Sequence, residues 1–263
     1  MPRNQSRNTK GISSVNRALS ILELFDHHTD ELGVTEMARH LNLHKSTLSG
    51  LVHTLLDRGY LDRNPVTRKY HLGIKLIERA FVALSHLDIS RIALPYMESL
   101  REWRDETVNL AILDGDEVVY IERLLSSHTL GMHSRIGKRA MAYSTALGKA
   151  LLSQLPESEL EAFLANFNPV PVTPNTITDL QKFRDELELV RRQGYAVDME
   201  ENEVGGVCIG APIIDHRFKA IAAISIAIPK ARISPRDLPE LGAKVMETAQ
   251  AISRGLGYMP ENR

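Results

Sequence analysis

The 263-residue sequence has a single cysteine, Cys208, a single tryptophan and only 5% aromatic residues. One cysteine excludes an internal disulfide, and no Cys/His spacing of the kind that builds structural zinc sites is present. Long apolar runs are also missing. The longest, around Ala220 to Pro229, falls well short of the ~20 residues a membrane helix needs and reads as a buried strand. Arg3, Arg7 and Lys10 are followed by no apolar stretch. That predicts a polar arm rather than a secretory leader, a cytoplasmic protein and no membrane partner. Nucleophile elbow, HExxH and kinase signatures are absent, so no catalytic residue and no cofactor is expected. Gly131 to Arg139 imitates a phosphate loop loosely, but Arg139 stands where a magnesium-binding hydroxyl belongs.

The remaining composition is that of an ordinary globular chain, 43% hydrophobic and 25% charged, long enough for one large domain or two ordinary ones. The net charge of -1 hides a division. Residues 1–75 hold 11 Lys and Arg against 7 Asp and Glu, with six of the ten histidines. Residues 76–263 hold 21 against 26. A basic small domain on an acidic larger one suits phosphate contact at one end only.

Helical spacing of Val15, Ala18, Leu19, Leu22 and Phe25 predicts a first helix beginning after Ser13-Ser14, with these side chains in one core. A short second helix follows, capped by Thr35 and turning Val34, Ala38 and Leu41 inward. After the turn at Asn42-Leu43, a third helix buries Leu48, Leu51, Val52, Leu55 and Leu56 and ends at Gly59. Two such helices joined by a tight turn make a helix-turn-helix. The outer face of the third carries Lys45, Ser46, Thr47, Ser49, Gly50 and His53, short donors and a cation suited to phosphates and base edges. Tyr60–Arg63 and Lys69–Leu72, turned by Asn64-Pro65-Val66-Thr67, predict a hairpin wing made basic by Arg68 and Lys69. A plain three-helix bundle with a solvated polar face is the alternative reading.

Ser14-Val15-Asn16-Arg17-Ala18-Leu19-Ser20-Ile21-Leu22, Thr35 through Thr47, and Tyr70-His71-Leu72-Gly73 resemble the first helix, the helix-turn-helix and the wing end of the IclR family of transcription regulators. Ser144–Leu152, Gly194–Glu201 and Gly206–Ile213 resemble that family's effector domain. The resemblance implies an α+β protein: a flexible basic arm (1–11), a winged helix-turn-helix (12–73), a linker helix (74–88), and a GAF-like effector-binding and oligomerisation domain (89–258) with an antiparallel sheet flanked by helices. It implies a metabolite-modulated regulator that binds double-stranded DNA at a near-palindromic operator as a dimer or dimer of dimers. The effector would be an organic, aromatic or sugar-derived acid. DNA contacts would fall among Thr35, Lys45, Ser46, Thr47, Ser49, Gly50, His53, Arg68 and Lys69. The family often has Arg where this chain has Gly50, which points to a different operator. Effector positions carry over to Thr129 and Met132 on a third strand (His128 to Ser134), Ala140 in the loop after it, Ala146 and Leu147 at a helix start, and Asp198, Cys208, Ser225 and Ala227 on strands. Some relatives have a small Gly-Ala pair at Ala146-Leu147 and a Ser at Ala227, which implies a larger or more apolar effector here, and His is frequent at Tyr143. Two rival functions stay open. One is a metal-responsive regulator using Cys208 with His128, His133 or His216; the other is an enzyme domain fused to a DNA-binding module.

Overall fold

The computed structural model describes residues 11–26, 29–85, 88–128 and 135–259. The predicted residues Thr129, Met132 and His133, and nearly all of the expected basic arm and third strand, lie outside this set. The chain divides into two compact units, 1–87 and 88–263.

The first unit is a three-helix cluster with a two-stranded wing. Helices α1 (Ser13–Leu22), α2 (Val34–Leu41) and α3 (Lys45–Asp57) enclose Ile21, Phe25, Met37, Leu48, Val52 and Leu55. Strands β1 (Leu61–Arg63) and β2 (Tyr70–Leu72) pair antiparallel, and Leu32 exchanges two 2.9 Å backbone bonds with Tyr70. The wing is also held by side chains. Glu31 accepts from Asn64 Nδ2 at 2.5 Å and from Thr67 Oγ1 at 2.8 Å. Helix α4 (Lys75–Ser85) follows. Two expectations are corrected. Val15 and Leu19 are about half exposed, while Ile21 is buried, so the inward face of α1 is formed by Ala18, Ile21 and Leu22. Thr35 does not cap α2. Gly33 takes the cap position and Glu36 Oε2 accepts its backbone N–H at 2.6 Å, because a carboxylate three residues into a helix can reach back to the cap.

Among the described residues, the second unit holds a six-stranded antiparallel sheet in the order β5-β4-β3-β8-β7-β6. Its strands are β3 (Thr107–Asp114), β4 (Glu117–Leu124), β5 (Arg139–Met141), β6 (Ala196–Met199), β7 (Gly206–Ile214) and β8 (Ala220–Pro229). Helix α5 (Asp88–Arg104) precedes them, α6 (Ala146–Leu152), α7 (Glu157–Ala165) and α8 (Leu180–Gln193) run between β5 and β6, and α9 (Leu238–Gly255) closes the unit. Ala140, expected in a loop, sits in β5 opposite Val118. Alternation along β7 separates two faces. Cys208 and Gly210 turn toward α6, whereas Val207, Ile209, Ala211 and Ile213, all fully buried, turn toward the side where α5 and α9 pack. Helix α6 comes close to the backbone around it. A Cβ on Gly148 would lie 2.1 Å from the Ala142 carbonyl oxygen, and one on Gly210 would lie 2.9 Å from the Ala146 carbonyl carbon.

This packing gives the first test. Gly148→Ala forces a methyl against backbone that cannot swing aside, so its cost is expected at the upper end of the ~1–3 kcal/mol typical of overpacking, or above it. Chemical denaturation reads the loss; an unchanged midpoint would mean that α6 is free to shift.

Candidate functional site

Two surfaces carry the residues singled out from the sequence. On the first unit, α3 buries Leu48, Val52 and Leu55. That leaves Lys45, Ser46, Thr47, Ser49, Gly50 and His53 exposed. His44 occupies the helix N-cap in extended conformation, and His53 lies 3.5 Å from Asp57. In the wing, Arg68 is exposed at a left-handed turn position. Lys69 is bonded to Glu36 at 3.2 Å, and Thr35 is exposed on α2. Glu36 therefore both closes the N-terminus of α2 and engages Lys69; the Gly33 N–H, and then the Lys69 ammonium, hold its carboxyl below the usual range.

On the second unit, strand register builds a site beneath α6. Ala196, Gly210, Ser225 and Asn109 lie side by side across β6, β7, β8 and β3. In the next row on that face lie Asp198, Cys208, Ala227 and Thr107. A cavity of about 20 Å³ opens there, lined by Asn109, Tyr120, Thr145, Ala146, Leu147, Asp198, Asn202, Cys208 and Ser225. The fold thus brings together five of the residues expected from the sequence: Ala146, Leu147, Asp198, Cys208 and Ser225. Ala227 is buried in the neighbouring row and Ala140 packs against the apolar core; neither lines the cavity. Tyr143 is also outside it. Its hydroxyl donates to the Val170 carbonyl at 3.0 Å and its ring meets Phe167 edge-on.

Four lining residues were missed. Asn109 left a readable signal, a polar residue in the apolar run Val108 to Ile112. So did Thr145, the N-cap whose hydroxyl accepts from Gly148 N at 3.0 Å. Tyr120 and Asn202 left none, since only the register and the turn before β7 bring them in.

Asp198 is 3% exposed. Burial, then the nearby Glu201 carboxylate, push its pKa up to about 7 against the N–H of Glu201, Lys149 and the N–H of Asn202. Its Oδ1 accepts from those two N–H groups at 2.7 and 3.3 Å. Burial, and then Asp198, also push the Cys208 thiol well above its ordinary range, so it stays protonated and unreactive. Behind the cavity Lys149 is fully buried. Its ammonium donates to Glu201 Oε1 (2.6 Å), Glu186 Oε1 (2.9 Å) and the Val197 carbonyl (2.5 Å). Burial opposes that charge, but Glu201 and Glu186 more than offset it and keep Lys149 protonated. Among the described residues, no three His, Cys, Asp or Glu side chains are grouped as a metal ion would require. No helix in that set is long and apolar enough to cross a membrane.

Comparison with known proteins follows the same two-part division. Residues 14–65 match the IclR helix-turn-helix domain, and residues 81–254 match the family described as bacterial transcriptional regulator IclR C-terminal. The HTH-type transcriptional regulator XynR of Escherichia coli (strain K12) is 38% identical over 94% of this chain and 98% of its own length. The Thermotoga maritima IclR crystal structure is 35% identical, with a TM-score of 0.79 over 93% of this chain and 99% of that one. An IclR homolog from Microbacterium hydrocarbonoxydans, solved in complex with 4-hydroxybenzoate, is 26% identical with a TM-score of 0.83, over 93% of this chain and 99% of its own.

Asp198 makes stability depend on pH. The folded chain keeps this proton up to about pH 7, whereas an unfolded Asp loses it near pH ~3.9. In that window the folded state binds the extra proton, so the group's stabilisation is complete below the window and declines as pH rises through it. Asp198→Asn lacks the effect. Its melting temperature relative to the parent is expected to rise between about pH 5 and about pH 8, and a constant difference would mean that Asp198 is ionised throughout. Lys149→Met strands the buried Glu201 carboxylate and is expected to cost roughly 3–5 kcal/mol. Denaturant titration measures this loss, and adding Glu201→Gln should recover part of it. No recovery would mean that the lysine acts by packing alone.

Proposed function

The chain belongs to the IclR family of bacterial transcriptional regulators, with a DNA-binding helix-turn-helix and an effector-binding C-terminal domain, and we propose that metabolite capture beneath α6 controls how its helix-turn-helix reads an operator. The observation that carries this reading is the convergence of Asn109, Thr145, Asp198, Asn202, Cys208 and Ser225, from separate strands and turns, on one buried cavity. A purely structural core has no need of so many polar groups in one place. The cavity as it stands holds about one water, so a metabolite must displace lining side chains to enter. That displacement supplies the differential affinity for two states which any ligand-driven change requires. The effector is an organic, aromatic or sugar-derived acid. The 4-hydroxybenzoate found in the Microbacterium hydrocarbonoxydans homolog supports the aromatic class. Residues 12–73 form the reading module, 74–88 the linker and 89–258 the sensing and oligomerising domain.

In the DNA complex, the N-terminal half of α3 enters the major groove. Lys45, Ser46, Thr47, Ser49 and His53 face phosphates and base edges, with Gly50 among them and Thr35 near the backbone. The wing offers Arg68 as a cation. Lys69 contributes less charge, because Glu36 already holds it. Two copies related by a two-fold read a near-palindromic site. The exposed Ile12, Val15 and Leu19 of the first helix segment recur at helical spacing and support a partner there.

Recovery of genomic fragments by the purified protein at near-physiological salt tests this. The expected outcome is a few near-palindromic promoter sites, and recovery without preference even with metabolite pools present would overturn the reading. Lys45→Ala should weaken binding to all sequences and lower the salt slope by about 1. Asp198→Asn and Ser225→Ala should shift the metabolite concentration needed for the response without changing operator affinity in its absence.

A further inference from the structure

Gly50 lies inside α3, in a stretch assigned as unbroken helix from Lys45 to Asp57. Glycine is among the poorest residues for such a position, and a helix keeps one for an identifiable reason. The usual reasons are missing here. Gly50 is not among the residues with positive φ. Among the described residues, a Cβ added to it would meet no atom within 4 Å, so no neighbouring element in that set needs the space. It is eight residues before the helix C-cap, Arg58. Thr54 Oγ1 donates to the Gly50 carbonyl at 2.9 Å, a bond that any residue at position 50 would permit. By contrast, Gly148 and Gly210 in the same chain each lie against backbone atoms that a Cβ would strike.

The reason for Gly50 therefore lies outside the folded chain. It is exposed between Ser49 and Leu51, on the face shared by Ser46, Ser49 and His53, while Leu48, Val52 and Leu55 point into the core. Resting on the proposal that α3 reads the major groove, we infer that Gly50 is a specificity-determining position at which the bare helix backbone is brought against a base-pair edge. Without a side chain there, the helix axis approaches the groove floor more closely than a helix bearing one. The short hydroxyls of Ser46 and Ser49, which a larger neighbour would hold away, then reach base edges directly. Position 50 acts by exclusion: base pairs that fit under a bare helix are accepted, and any side chain separates the two surfaces.

The inference predicts two effects of opposite sign. In full-length protein, Gly50→Ala should raise the melting temperature by up to a few degrees through helix propensity alone. The same substitution should weaken binding to the selected operator about tenfold, the scale of one lost base contact. Gly50→Gln, with similar helix propensity but greater reach, should lose more or select a changed sequence at two symmetry-related positions. Affinity for random DNA and the salt slope should stay as in the parent, because phosphate contacts are untouched. A stable Gly50→Ala that binds the same operator with parental affinity would overturn the inference. An equal loss on operator and random DNA would overturn it too, since that outcome assigns the position to backbone contact. If the parent selects no operator at all, the reading of α3 has failed instead, and the two failures are distinguished by that control.

Discussion

Lys149 is the charge around which the sensing unit is arranged. Carried by α6, its ammonium is shut away from water and reaches three acceptors on different parts of the chain: Glu186 of α8, the Val197 carbonyl of β6, and Glu201 in the turn before β7. Each bond compensates the desolvation that burying a cation entails. Together they fix where the turn after β6 sits against α6. That turn carries Asn202 into the cavity, and its backbone N–H groups orient the Asp198 carboxyl. Asp198 thus gets its position from the lysine network but very little of its charge balance. The Lys149 ammonium is spent on other carboxylates, so Asp198 is left protonated near neutrality by burial.

The same cavity depends on steric thinness. Helix α6 is built largely of small residues at its start, and Gly148 and Gly210 let it lie close to the backbone of Ala142 and of β7. The polar groups of Asn109, Thr145 and Ser225 are gathered within reach of one another because nothing bulky separates helix from sheet. A gap of about 20 Å³ remains in this tightly packed layer, which deforms little around it. The DNA-reading unit is organised on different lines. Its core is small, and carboxylates finish what apolar packing begins: Glu31 ties the wing turn, and Glu36 caps α2 and holds Lys69.

Much of this was legible in the residues. Helical spacing and a continuous apolar run placed α3 and β8 nearly to the residue, because long amphipathic or fully apolar segments have few alternatives. The family motifs pointed to Asp198, Cys208, Ser225 and the start of α6. What failed was local and competitive. Thr35 had the chemistry of a cap, but Glu36 closed the helix on Gly33. Val15 and Leu19 had the right spacing, yet Ile21 took the core. Both are contests between adjacent residues that composition cannot arbitrate.

By itself, the sequence determined the two-part organisation, the helix-turn-helix with its wing, and a sensing domain of the IclR kind, since each rests on periodicity, turn chemistry or a run of adjacent motif residues. Tertiary structure alone decided which side chains meet. The cavity joins Asn109, Tyr120 and Ser225 across more than a hundred residues of chain through strand register, and Asn202 through the turn before β7, and register is set by which faces are buried when the sheet closes. Only the fold could reveal that Gly50 has open space beside it while Gly148 and Gly210 have none. A glycine's purpose is defined by the atoms around the missing side chain, and those atoms come from elsewhere in the chain or from another molecule.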